Sequence, residues 1–242
     1  LVKNKQIRAG YHLTISLECL KTLAFEEWNA RETRIEDVAI CGEWMVSHEE
    51  YTQWSESSNP SALWLEGKPG SGKSTLAKLI VHKLENREND SGSVTDASSV
   101  PTKGPQPGRH IWTLNNPEDK STIIVRFYYS FRGGNTETSH ELMLRSIVYQ
   151  IWNNNSRLYK LLKDRYRGLQ NSNSESERTS FWRYADLKSL LRSLHEIDFS
   201  LKVVIVVDGM DESDNVMRDD VLRFLPDLVV RNSNCIVKIL NC

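Results

Sequence analysis

Residues 67–75 read Gly67-Lys68-Pro69-Gly70-Ser71-Gly72-Lys73-Ser74-Thr75. The spacing G-x-x-x-x-G-K-[ST] suits one kind of chemistry, the cradling of a polyphosphate. A loop wrapped around phosphate must turn several backbone N–H groups inward, through conformations that glycine reaches without a Cβ clash. Gly67, Gly70 and Gly72 are expected to supply that freedom. A helix starting near Lys73 adds its unsatisfied N–H groups and the positive end of its dipole. Lys73 is expected to reach the β- and γ-phosphates, and the Ser74 hydroxyl to bind Mg²⁺. Pro69 stiffens the loop without donating to the anion, since it has no N–H. The competing reading is a Gly/Ser-rich surface turn that spells the motif by chance; a strand before it and a helix after it argue against that.

A second group of residues carries acid chemistry. The run Leu201-Lys202-Val203-Val204-Ile205-Val206-Val207-Asp208-Gly209-Met210-Asp211-Glu212 ends an apolar strand on a carboxylate. Beside a phosphate loop, an aspartate at a strand end holds Mg²⁺ opposite the loop hydroxyl, and Asp208 stands in that position. Asp211 and Glu212 follow, where a carboxylate can orient or deprotonate an attacking water. Both remain candidates for the catalytic role. Taken without the loop, residues 208–214 would be a solvated acidic turn. Arg132, ahead of Gly133 and Gly134, either touches phosphate or holds a turn, and the turn is favoured. The histidines are scattered and are read as structural or exposed. Trp44, Trp54 and Trp64 could stack a base, but core packing is the favoured reading.

The elements that must position these residues are legible in the apolar spacing. Leu63-Trp64-Leu65 is a short strand entering the loop, and Leu76, Leu79, Ile80 and Leu84 continue beyond it at helical spacing. Strands are also expected at 122–131, 201–207 and 235–240, the second of these covered on both faces. Helices are expected at 141–152, 157–169, 184–197 and 216–230, where Pro226 must kink or divide the last. Before the loop, Leu13, Leu17, Leu20 and Ala24 mark one helix face, and residues 37–54 mark a short helix and turn. Residues 87–121 are rich in Ser, Gly, Pro, Thr and Asp and read as a disordered surface insertion. A polar loop covers 170–179. Strands alternating with helices predict an α/β fold, a mainly parallel sheet between helix layers, with a helical N-terminal arm over residues 1–60 and the main domain over 61–242.

Composition narrows the classes. The chain has 242 residues, 39% apolar and 26% charged, with a formal net charge of −1. No global field favours nucleic acid or an anionic membrane, and neither is an expected partner. No apolar run approaches the ~18 residues that span a bilayer. Cys19, Cys41, Cys235 and Cys242 lack paired spacing and read as free thiols of a reducing cytoplasm. The sequence starts at Leu1 and stops inside the apolar run 236–242, and is expected to be a piece of a longer protein.

From about Cys19 to Cys242, the chain resembles the NACHT-type NTPase module of signal-transducing STAND proteins, especially fungal NOD-like receptors with a nephrocystin-like N-terminal NTPase domain. The likeness is carried by Phe25-x-x-Trp28-x-x-Arg31 and Ile35, by Trp44 with Tyr51 and Trp54, and by Leu63-Trp64-Leu65 before the loop. Phe131-Arg132-Gly133, the helix Met143-Leu144-Arg145-Ser146-Ile147-Val148-Tyr149-Gln150 and Asp208-Gly209-Met210-Asp211-Glu212 complete it. The resemblance implies a P-loop NTPase fold of three α/β/α layers, with the strand 235–240 between the strands ending at Gly67 and Asp208. It implies that Asp208 assists Mg²⁺ and that Asp211 or Glu212 serves hydrolysis. It also implies a switch that exchanges diphosphate for triphosphate and then self-associates to bring effector domains together. The sensor arginine, winged-helix histidine, repeat sensor and effector domains of that family would lie beyond this chain.

The expected function is therefore Mg²⁺-dependent binding and slow hydrolysis of ATP, or of GTP, by a nucleotide-controlled switch. No N-K-x-D base-reading motif is present, which favours ATP. A nucleotide-binding scaffold without turnover is the alternative. A small-molecule kinase with the insertion as lid is disfavoured, since the insertion lacks anchoring apolar residues.

Overall fold

The computed structural model describes residues 18–25, 29–35, 42–91, 121–172, 182–230 and 234–242. Leu13, Leu17, Trp28, Val38, Cys41, residues 92–120 of the expected insertion and 173–179 of the polar loop lie outside the described residues.

Strands β1 (Ser61–Trp64), β2 (Thr122–Tyr128), β3 (Leu201–Asp208) and β4 (Cys235–Asn241) form one parallel sheet in the order β1-β4-β3-β2. The strand expected to lie centrally does so. β4 pairs Ile239 with Ala62 of β1 on one side and with Ile205 of β3 on the other. A parallel sheet buries both faces, so its inner strands need apolar residues without alternation. In β3, Val203, Ile205 and Val207 enter one core while Val204 and Val206 enter the other. That division makes the architecture three-layered.

The first core lies under α7 (His140–Asn153), α9 (Tyr184–Arg192) and α10 (Arg218–Val230), with α8 (Tyr159–Ser172) beyond. Helical residues 18–23 (α1) join this side through Cys19, Leu20 and Leu23. Arg145 of α7 donates to the carbonyls of Thr22, Leu23 and Ala24, where a helix end leaves its last carbonyls without partners. The motif arginine of the Leu-Arg-Ser helix thus has a structural task. Gln150 does comparable work for β2, a sheet-edge strand. Its amide bonds both the N–H and the C=O of Arg126, at 3.1 and 2.8 Å.

The second core lies under α5 (Lys73–Ser91) and the arm helices α3 (Glu43–Val46) and α4 (Glu49–Glu56), through Met45, Tyr51, Trp54, Ala77 and Ile80. Lys238, fully buried in β4, donates to Trp54 O, and Lys202 donates to Ser55 O at 3.4 Å. The sheet thereby caps the C-terminal carbonyls of α4. Burial lowers the Lys238 ammonium to a pKa of about 8. A third arm helix, α2 (Ala30–Arg34), crosses the end of β2.

Several expectations change. Trp54 is buried, but Trp44 is 61% and Trp64 48% exposed, so core packing fails for two of the three tryptophans. β2 stops at Tyr128, and Phe131 sits exposed in a 3₁₀ turn instead of continuing the strand. α5 runs to Ser91, one turn into the expected insertion. α10 begins at Arg218 after Met217 takes a left-handed φ of 68°, and Pro226 lies inside it without dividing it.

Candidate functional site

β1 aims its C-terminus at the loop, and the N–H of Leu65 still donates to Asn241 O at 2.8 Å, so the sheet holds the chain up to Glu66. The loop then turns on glycines of two kinds. Gly70 and Gly72 take φ of 78° and 87°, where a side chain would be strained. Gly67 takes an ordinary φ. Its role is space, because a Cβ there would meet Ser71 Oγ at 2.7 Å. The expectation of three conformationally free glycines is thus corrected to two. Ser71 N–H closes the bend on Lys68 O at 3.1 Å. Lys68, Pro69 and Ser71 are exposed with the glycines, while Lys73, Ser74 and Thr75 are half-buried.

The first intrahelical bond of α5 runs from Leu76 N–H to Gly72 O at 2.9 Å. The amides of Lys73, Ser74 and Thr75 precede it, where a helix offers N–H groups to an anion. Lys73 Nζ folds back over the bend and donates to Gly67 O at 2.8 Å and Lys68 O at 3.3 Å.

Asp208, 1% exposed at the end of β3, faces this helix start. Burial raises its carboxyl from 3.8 to about 6. The Ser74 hydroxyl and the Arg31 and Lys73 charges pull it back, while Glu212 pushes it up. Asp208 Oδ2 has no hydrogen-bond partner among the described residues. A buried carboxylate oxygen left this way is costly unless something positive meets it.

Gly209 turns the chain after Asp208 with φ 72°, and a Cβ there would lie 3.0 Å from Tyr129 O. The 3₁₀ turn Met210–Glu212 follows. Glu212 Oε2 accepts from the Phe131 N–H at 3.0 Å, which fixes that carboxylate between the ends of β2 and β3. Asp211 is exposed, and its carbonyl accepts from Arg218 Nη2 at 3.2 Å. Of the two acids left open by the sequence, Glu212 is the one whose charge bears on Asp208. Arg132 is exposed, and its amide closes the turn on Ser130 Oγ at 3.2 Å.

His140 holds the same loop from below. Its Nε2 donates to Asp214 O, and its Nδ1 accepts from Tyr129 OH, both at 2.8 Å. Burial keeps its pKa below the ordinary value, as a ring that accepts on one nitrogen requires. Sequence reasoning gave His140, Gly209 and Arg31 no individual task. The fixed spacing of Asp208-Gly209 to a strand end was the available signal for Gly209.

Gly209→Ala is expected to cost about 1–2 kcal/mol, from the left-handed φ and the close Tyr129 carbonyl. Thermal unfolding should show a midpoint about 2–8 °C lower. An unchanged midpoint would mean the turn relaxes freely.

A family model described as Nephrocystin 3, N-terminal matches residues 41–100 and 109–242. The match includes the loop, Asp208 and Glu212, and its break falls inside the polar insertion. No curated protein matches the chain.

Proposed function

The chain belongs to the nephrocystin 3 N-terminal family, and from that premise we propose that it binds a nucleoside triphosphate with Mg²⁺ and hydrolyses it slowly. ATP is the favoured nucleotide. The observation that carries the reading is the pairing of a glycine-turned loop at the start of α5 with a buried carboxylate whose Oδ2 lacks a partner among the described residues. In this reading the loop amides and Lys73 hold the β- and γ-phosphates, with Lys73 leaving the Gly67 and Lys68 carbonyls to do so. Ser74 Oγ and Asp208 are the residues that would hold Mg²⁺. The orphaned oxygen fits a cation, and one or two protein oxygens beside phosphate suffice for this ion. When bound, the ion neutralises charge building on the phosphates.

Glu212 supplies the base. The Phe131 amide fixes its carboxylate, which orients a water and accepts its proton as the water attacks the terminal phosphorus and the bond from that phosphorus to the bridging oxygen breaks, releasing the nucleoside diphosphate and phosphate. Such machinery suits the slow cycle of a NACHT-type STAND switch, in which di- and triphosphate favour different conformations and the triphosphate form self-associates.

Phosphate release and nucleotide binding, measured together, test the assignment. Glu212→Gln is expected to lower release about 100-fold or more while keeping affinity, whereas Asp211→Asn should stay within about 3-fold of wild type. Loss of release in Asp211→Asn alone would move the base role to Asp211. Tight binding by a wild type that releases no phosphate would leave a scaffold in place of an enzyme.

A further inference from the structure

We propose that Arg31, carried on the arm helix α2, is a second phosphate-reading cation that discriminates triphosphate from diphosphate when the arm is docked. The inference rests on the phosphate-loop reading and extends it to a residue outside the loop motif.

Helix α2 is held at its C-terminal end and through Glu32 in its middle. Arg34 at its end pairs with both oxygens of the buried Glu137, on the short helix α6 (Asn135–Thr138). Glu32 accepts from Arg126 Nε of β2 at 2.7 Å, and the same guanidinium donates to Glu85 of α5 at 2.6 Å. Lys78 of α5 donates to Ile35 O at 2.8 Å, closing the C-terminal end of α2. A five-residue helix has little stability of its own, so these contacts decide its position. They tie it to β2, α5 and α6 together.

Arg31 lines the cleft between α2 and the end of β2, alongside Tyr128, the register partner of Asp208. The acids around that cleft are already engaged: Glu32 by Arg126, and Glu137 by Arg34. Arg31 Nε is buried without a hydrogen-bond partner among the described residues. Its charge acts on Asp208, as that of Lys73 does. Two cations from different parts of the chain thus bear on the carboxylate, one delivered by the loop and one, beside the Tyr128 that pairs with Asp208, by the arm. A guanidinium is suited to phosphate oxygens because it offers several donors in a fixed plane. In the phosphate-loop reading, a cation held by Ser74 and Asp208 would draw the terminal phosphate toward the end of β3, so Arg31 adds more to triphosphate than to diphosphate. Undocking α2 would withdraw it, which couples the arm to the identity of the bound nucleotide.

Equilibrium binding of ATP and ADP, each with Mg²⁺, tests this in wild type, Arg31→Gln, Arg31→Lys and Arg34→Gln. The expected result is a 10- to 100-fold loss of ATP affinity in Arg31→Gln, with ADP affinity changed less than about 3-fold. Lys at position 31 should restore part of the preference. Arg34→Gln, which releases the helix and leaves Arg31 intact, should lower the ATP-to-ADP ratio in the same direction. Circular dichroism and thermal unfolding confirm that each variant is folded; where Arg31→Gln fails to fold, Arg31→Lys and Arg34→Gln decide. A merely structural arginine would weaken both nucleotides equally, and an unchanged ratio in the folded variants overturns the proposal. Failure of wild type to bind either nucleotide instead overturns the phosphate-loop reading beneath it.

Discussion

Replacing Lys73 with alanine is expected to weaken triphosphate binding by at least about 100-fold, equivalent to about 2.7 kcal/mol. The ammonium is the loop side chain whose charge can approach the terminal phosphates, and charge-assisted bonds to phosphate are the strong ones in such a site. The fold should tolerate the change. Lys73 is half-buried, and its two bonds to the carbonyls of Gly67 and Lys68 lie in an exposed segment where water can replace it. Titration with a fluorescent triphosphate, beside a thermal melt of the nucleotide-free protein, separates these effects. Equal affinity in mutant and wild type would remove the loop from the account.

The second large effect runs in two directions at once. At Asp208 burial favours the protonated acid, so its contribution to stability is full below 3.8 and is lost as pH rises through about 6. At pH 7 the ionised group costs the nucleotide-free fold roughly 3 kcal/mol, as an order of magnitude. Asp208→Asn should recover much of that. The stability gain should be present at pH 7 and fade as pH falls from 6 toward 4, where the native acid is itself neutral. The same variant should lose the Mg²⁺-dependent part of triphosphate affinity, since an amide does not neutralise the ion. Denaturant unfolding at several pH values, with binding measured with and without Mg²⁺, reads both. A destabilised Asn variant, or one whose binding still rises with Mg²⁺, would contradict the assignment. A residue that weakens the empty fold while serving a ligand is what a functional site tends to contain.

Much of this arrangement was legible in the chain. The unbroken apolar run ending at Asp208 announced a strand buried on both faces, because only a parallel sheet between two helix layers asks for that pattern. The loop was legible because phosphate binding constrains glycine, lysine and hydroxyl within nine consecutive positions. What sequence could not resolve depended on neighbours far along the chain. Trp64 looks like a core residue in an apolar triplet, yet among the described residues β1 pairs with β4 alone, and its face at Ala62 and Trp64 is exposed. Phe131 continues the alternation of β2, but the Ser130 hydroxyl captures the Arg132 amide and turns the chain out of the sheet. Asp211 and Glu212 are adjacent and chemically equivalent on paper. The Phe131 amide, 81 positions from Glu212, separates them. Lys238 offered no warning either; its place in an apolar strand makes sense once the end of α4 is seen above it. Arg31 is silent for the same reason, since nothing local reveals that its helix is clamped against β2, α5 and α6.

The most direct measurement is calorimetric titration of the wild-type chain with ATP in the presence and absence of Mg²⁺ near pH 7.5, beside Lys73→Ala. The account predicts a single saturable site that tightens with the ion, and no measurable site in the alanine variant. No binding heat and no thermal stabilisation in wild type, or binding of equal strength in both proteins, would contradict it.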